Sequence, residues 1–204
     1  MTFANSPKFE RIIQFADETS KDRPIIYVYN KESQKAIQEA LTKLGYRVAI
    51  LNGEITDATK RNHIVTQFNS GELDMLVFNV INAINLPTSE RILFYDIPMI
   101  PQVTNQIKGR IDRDNYTDKK FYDFFCYLDS PEMINIIKLA CFREYHSAQF
   151  TGQYENIYGM LVAQITKHIG GERMEKLQNA IENMYNTNQS FEEVTSTLQA
   201  ILQL

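Results

Sequence analysis

What this chain lacks limits what it can do. No apolar run approaches the roughly 20 residues of a membrane-spanning helix. The opening stretch MTFANSPKFERI has no basic-then-apolar signal architecture, so a cytoplasmic protein is expected. Cysteine is scarce. Cys126 and Cys141 lie in apolar surroundings without metal-ligand spacing, which fits reduced core residues. His63, His146 and His168 are scattered and have no cysteine partners, so no metal site is expected. A basic excess is also missing. The formal net charge of −4 argues against a constitutive, tight nucleic-acid binder. It leaves room for a local basic patch, or for a domain that grips nucleic acid beside a partner. The glycine-rich loops that hold nucleotides are absent as well. Without G-x-G-x-x-G there is no dinucleotide turn, and without G-x-x-x-x-G-K-[ST] there is no cradle for phosphates. No strand ends in an acidic pair of the D-E-x-H type that would hold magnesium.

What is present is the composition of a globular protein, 44% hydrophobic and 23% charged over 204 residues. That is enough for one core of usual size and an appendage. The first two-thirds alternates helix and strand. Ser6 and Pro7 are start signals for a helix carrying Phe9, Ile12, Ile13 and Phe15. PIIYVYN (24–30), YRVAIL (46–51), DMLVFNV (74–80), RILFYD (91–96) and KFYDFFCYL (120–128) read as strands. KESQKAIQEALTKLG, TDATKRNHIVTQFNSG (capped by Thr56 or Asp57) and IPQVTNQIKGRIDR read as the helices between them. Strands this apolar, spaced by helices, predict an α/β fold with a parallel sheet covered on both faces. After residue 129 the texture becomes helical, through SPEMINIIKLACFREYHSAQF, YENIYGMLVAQITKHIGG, ERMEKLQNAIENMYN and SFEEVTSTLQAILQL. Ser190 and Glu193 are spaced as a capping box. The expected division is an α/β domain over 1–129 and an all-helical extension over 130–204.

Within 106–113 stands QIKGRIDR. Taken alone, its two arginines are most simply a solvated basic helix paired with Asp112 or Asp114. The order of the flanking segments adds a second reading. SPKFERI, PIIYVYNK, LNGEITDATKRNHIVTQFNSGELDMLVF, NVINAINLPTSERILFYDIP and QIKGRIDR follow one another as do the opening helix and motifs IV, V and VI of a known lobe. Residues 6 to 130 thus resemble the second RecA-like lobe of superfamily 2 helicases and translocases. The nearest likeness is to the Snf2-like type, including forms encoded by phages, and GRIDRDNYTDKKFYDFFCYLDS is similar to the continuation after motif VI in those forms. The chain departs from the pattern at motif V, where Ala83 stands near the usual glycine and VFNV replaces the opening threonine or serine.

The resemblance implies an ATP-driven protein whose nucleotide and Mg²⁺ sit on a first lobe, on another chain or on a missing part of this one. Arg110 and Arg113 would supply charge to the γ-phosphate across the cleft. A guanidinium suits that task because it is always charged and forks onto two oxygens. Three apart on a helix, the two would share a face. Gly109 would admit close backbone approach or begin the helix, and Gln106, one turn earlier, would order Arg110. Asn85 would touch the nucleotide sugar or position the arginines, with a turn before Pro87 as the other reading. Asp96 is either a ligand contact at a strand's carboxyl edge or a turn carboxylate. Gly53, Thr56, Lys60 and Arg61 would meet a nucleic-acid backbone at a helix start, DNA by the Snf2-like resemblance, or form a solvated helix start. A tyrosine of YVYN can stack on a base, though alternation buries at least one of Tyr27 and Tyr29. Two readings remain, the second lobe of a DNA helicase or translocase and a non-catalytic RecA-like interaction module. A free nucleotide-binding enzyme is disfavoured, since no glycine-rich turn supports it.

Overall fold

The computed structural model describes residues 6–80, 84–98, 101–112, 119–127, 130, 132–136, 166–187 and 191–202. They form two compact units. One holds residues up to Asp96 together with Gln102–Phe125, and the other holds Ile97–Pro101 and Cys126 onward.

In the first unit, α1 (Pro7–Thr19) starts where Ser6 Oγ accepts the Phe9 amide at 3.2 Å, with proline in its first turn. A 3₁₀ turn (Ser20–Asp22) leads into β1 (Ile25–Tyr27). There follow α2 (Lys31–Lys43), β2 (Val48–Leu51), α3 (Ala58–Ser70), β3 (Met75–Phe78), β4 (Arg91–Phe94), α4 (Pro101–Lys108) and β5 (Phe121–Phe124). The five strands lie in the order β2-β3-β1-β4-β5, every pair parallel. This is the expected RecA-like α/β fold.

Alternation along the strands sorts the core into two layers. Ile26, Val28, Met75, Val77, Leu93 and Tyr95 pack with Phe9, Ile12 and Phe15 of α1 and Ile37 and Leu41 of α2. Ile25, Tyr27, Leu76, Phe78, Ile92 and Phe94 are the alternate residues, and they are buried too. Lys108 of α4 lies against the β5 rings of Tyr122 and Phe124, 4.9 and 5.9 Å from their centroids.

The strands are shorter than their apolar runs, for a hydrogen-bonding reason. Val28 N still donates to Phe78 O, but Tyr29 N turns to the Asp96 carboxylate at 2.6 Å. The chain leaves the ladder there so that Asn30 can cap α2, its side chain accepting from Glu32 N and Ser33 N. Asp57, not Thr56, caps α3, which Gly71 ends at φ 89°.

The second unit contains helical residues 132–136 and 166–169, α5 (Gly171–Thr187) and α6 (Phe191–Leu202). Gly170 separates the helical turn at 166–169 from α5 in the left-handed conformation, φ 88°. Met174, Leu177 and Leu198 are buried, and α5 packs against α6. The two long segments read as helices over 130–169 lie mostly outside the described residues, as does Ser190 of the capping box. Cys126 is partly exposed rather than core, and its Sγ donates to Tyr127 O at 3.3 Å. His63 and His168 are exposed, and Cys141 and His146 lie outside the described residues. No described helix is long and apolar enough to cross a membrane.

Candidate nucleotide and nucleic-acid sites

The sequence predicts a helix within 100–113, with both arginines on a shared helical face. The helix instead ends at Lys108. Gly109 therefore closes α4 rather than opening a helix. Past it the chain tightens, with Arg110 N and Ile111 N donating three residues back, to Ile107 O and Lys108 O. A Cβ on Gly109 would meet only Asn105 O and Gln106 O at ordinary distances of 3.6 and 3.7 Å, so no close backbone approach requires glycine there. Arg113 lies outside the described residues, and so does Ala83.

Arg110 is half-buried on this turn. Its main-chain carbonyl accepts from Leu86 N at 3.0 Å, and its Nη1 lies 3.5 Å from Ile84 O. The two neighbours of Asn85 thus staple Arg110 to the segment that crosses from β3 to β4. Asn85 itself is exposed, and its carbonyl accepts from Asn69 Nδ2 of α3 at 3.0 Å. The Arg110 Nε is buried and has no hydrogen-bond partner among the described residues. A buried donor left open is costly, roughly 1–3 kcal/mol, and native structures keep few of them. Gln106 is exposed and makes no hydrogen bond to Arg110 among the described residues. Asp112 Oδ2 accepts from the Tyr122 hydroxyl at 3.3 Å, and no ion pair joins it to Arg110. Between these, Lys108 is fully buried over its aromatic pair, although it stands in the same short motif. The packing of α4 on β5 separates the buried cation from the half-exposed one.

The other predicted residues gather where the strands end. Asn52, almost fully buried, donates to Gln34 Oε1 at 2.8 Å and accepts from Glu54 N at 3.0 Å, which shapes the exposed turn at Gly53. Glu54 pairs with Lys31 at 3.0 Å. Thr56 and Lys60 are exposed, while Arg61 Nε donates to Ile55 O at 2.5 Å. The α3 amides of Thr59 and Lys60 already meet the Asp57 carboxylate, so a phosphate at that helix start competes with an anion in place. Gly53 has no positive φ and open space around a Cβ, so nothing local demands glycine.

The same edge holds contacts that the sequence did not reveal. Tyr27 is buried, and burial first, then Asp96 and Tyr29, raises its phenol above the usual range. Tyr29 is exposed. Asn79 Nδ2 donates to Tyr29 O at 3.2 Å, and Asp96 holds its amide. The signal available in the sequence was the position of Asn79 and Asp96, each just past an apolar strand.

A parallel sheet in this order, helices on both faces and an arginine turn stapled to the crossing segment define the second RecA-like lobe of a superfamily 2 helicase. Residues 7–115, just over half of the chain, match the helicase conserved C-terminal domain, and the chain belongs to that family. It is 32% identical over 93 residues to the ATP-dependent RNA helicase dbp5 of Aspergillus clavatus, covering 45% of this chain and 19% of that protein. It is 35% identical over 95 residues to the ATP-dependent RNA helicase DeaD of Escherichia coli, covering 45% of this chain and 15% of that one. The matched part is thus less than a fifth of either relative. In fold it is similar to the C-terminal domain of the DEAD-box protein Dbp5 (TM-score 0.58, 20% identity, 76% of this chain and 89% of that one). The C-terminal part of the Fun30 ATPase domain superposes comparably (TM-score 0.59, 14% identity, 81% and 55%). The named sequence relatives are RNA helicases rather than Snf2-like or phage proteins, so the subfamily expected from the sequence gives way to the broader family.

Proposed function

We propose that this chain is the second lobe of an ATP-dependent RNA helicase and completes, across a lobe boundary, an ATP site held mainly by a first lobe. The lobe occupies residues 1–129, with 130–204 as a helical extension. The observation that carries the reading is the open Nε donor of Arg110. A half-buried guanidinium with one donor unmatched and another at the limit of hydrogen-bond distance suits an incoming anion.

When bound, ATP with Mg²⁺ supplies the phosphoryl group and most of the counter-charge. Arg110, aided by Arg113, places fixed positive charge where negative charge grows on the phosphoryl oxygens. Such a residue contributes on the order of 10³–10⁵ in rate. Gln106 and Gly109 line the approach from α4, and Asn85 anchors the crossing segment against Arg110. Gly53, Thr56, Lys60 and Arg61 form the backbone-contacting edge. RNA is favoured over the DNA of the Snf2-like resemblance because the named relatives act on RNA.

The chain alone, having no phosphate cradle, hydrolyses no ATP. Joined to a first-lobe protein, it supports RNA-stimulated hydrolysis that Arg110→Ala removes. Hydrolysis indifferent to Arg110→Ala, with stable binding of the first lobe, would move the assignment to a non-catalytic interaction module. Stimulation by DNA but not RNA would restore the Snf2-like reading.

A further inference from the structure

We propose that Tyr29 is a stacking platform for one base of a single-stranded nucleic acid, mounted at the switch point of the sheet. This rests on the helicase reading and names a contact that reading does not contain.

The exposure of Tyr29 is the first observation. Its residue is 74% exposed, against 5% for Tyr27 two positions earlier. An exposed aromatic is not unusual by itself. What distinguishes this one is its mount. Tyr29 N donates to Asp96 Oδ2 at 2.6 Å, and Tyr29 O accepts from Asn79 Nδ2 at 3.2 Å. Both main-chain polar groups of a loop residue are thus held by side chains, one past β3 and one past β4. The next residue, Asn30, is fixed as the cap of α2. The backbone is pinned while the ring is left outside. Little ordering entropy remains to oppose binding there.

Its place in the topology is the second observation. From β1 the chain leaves through α2 toward β2, on one side of the sheet. From β4 it leaves through α4 toward β5, on the other side. β1 and β4 are neighbours, so the crevice at their carboxyl ends is the switch point, where open α/β sheets receive ligands. Tyr29 and Asp96 stand on its two sides and are bonded to each other.

The surroundings select the ligand. Among the described residues, Asn30, Lys31, Asn79 and Asp96 adjoin Tyr29, and all are polar. Leu44, another large exposed apolar residue, lies past the far end of the 13-residue α2, about 20 Å along its axis. A protein partner needs a contiguous apolar patch. A single ring in polar surroundings offers a π-face the size of one base, and every base has a face to match it. Lys31, paired with Glu54, and Lys60 near the start of α3 are exposed cations that a phosphate backbone can recruit.

The test uses the full 204-residue chain and fluorescence anisotropy with labelled oligouridylate, oligothymidylate and an abasic strand of equal length. Wild type binds both base-bearing strands more tightly than the abasic one. Tyr29→Ala lowers affinity for them by about 5- to 100-fold, the range measured for stacked bases, and erases the difference from the abasic strand. Tyr29→Phe preserves both. The chain contains no tryptophan, so Tyr29→Trp places a lone reporter at the site, and oligouridylate quenches its emission. Equal binding of base-bearing and abasic strands by wild type overturns the proposal, as does Tyr29→Ala binding like wild type, or no strand binding at all. The helicase reading is judged apart, by the Arg110→Ala hydrolysis assay, and survives any of these.

Discussion

Arg91 and Arg110 are both half-buried on the same lobe, yet their surroundings are opposite. Arg91, at the start of β4, donates from Nε to Asp22 at 2.8 Å and from Nη1 to Asp123 at 2.6 Å, and its guanidinium lies 4.3 Å from the Phe121 ring centroid. Burial pulls its pKa down, but the hydrogen bonds to Asp123 and Asp22 outweigh that and raise it. Among the described residues, Arg110 has a buried donor with no partner and one marginal contact to a carbonyl. Type, burial and host domain are alike, so the difference lies in the partners each arginine is given. A guanidinium caged by two carboxylates ties β4 to β5 and to the turn before β1. On the proposed function, the donor left over on Arg110 is met by a phosphate from the first lobe.

The largest effect that can break this contrast is on catalysis. In the complex with a first lobe, Arg110→Ala lowers ATP turnover by on the order of 10³-fold or more, while the melting temperature of the isolated chain changes little. Arg110→Lys does not restore the rate, since a point charge cannot fork onto two oxygens. A loss of folding comparable to the loss of rate would place Arg110 with Arg91 as scaffold.

The converse change acts on stability. Arg91→Ala leaves Asp22 buried without its cation, and breaking such a pair costs roughly 3 kcal/mol. Urea denaturation of the isolated chain reads that as a lower midpoint. A midpoint that stays in place would mean the cage is ornamental.

A smaller loss is expected at Gln34. It is fully buried, donates to Val28 O at 2.6 Å and accepts from Asn52. Gln34→Ala opens both bonds and costs about 1–3 kcal/mol, seen in the same titration. It also loosens the Gly53 turn, detectable as faster amide exchange at Glu54.

The smallest effect is acid-dependent. The hydrogen bond from Arg47, then its charge, holds the Asp74 carboxyl below the usual range against the opposing pull of burial. A carboxyl depressed in the folded state stabilises above its unfolded value, near pH 4. That stabilisation fades as the pH falls through the lower folded value. Thermal melts from pH 6 to 2 therefore converge between wild type and Asp74→Asn. Parallel curves would show that the pair contributes nothing to folding.

Much of the architecture was legible because apolar runs in a sheet covered on both faces announce themselves, and all five strands fall inside the runs read as strands. Their ends were not legible, because hydrogen-bond competition sets them, as where Asp96 takes the Tyr29 amide. The QIKGRIDR segment was legible as a motif but not as a shape. Spacing suggested one helical face, whereas glycine's low helix propensity lets α4 end at Lys108. Lys108 itself shows the limit. Nothing in the sequence separates a buried lysine over two rings from an exposed neighbour, since the separation is made by residues of β5 that follow it in the chain. Snf2-like character and DNA were read from the segments taken together and from the continuation past motif VI, and the named RNA-helicase relatives do not share that label.

The strand order also governs how the chain assembles. β1 is made first, yet it pairs with neither its successor β2 nor anything near it. Ile25 waits for Leu76 and Ile92. At a synthesis rate of roughly 5–20 residues per second, the central strand of the sheet spends some seconds outside the ribosome with both edges bare. Closing it needs long-range pairing, which is slow. The central position that buries β1 in the finished lobe leaves it exposed to chaperones, and to other chains, during birth.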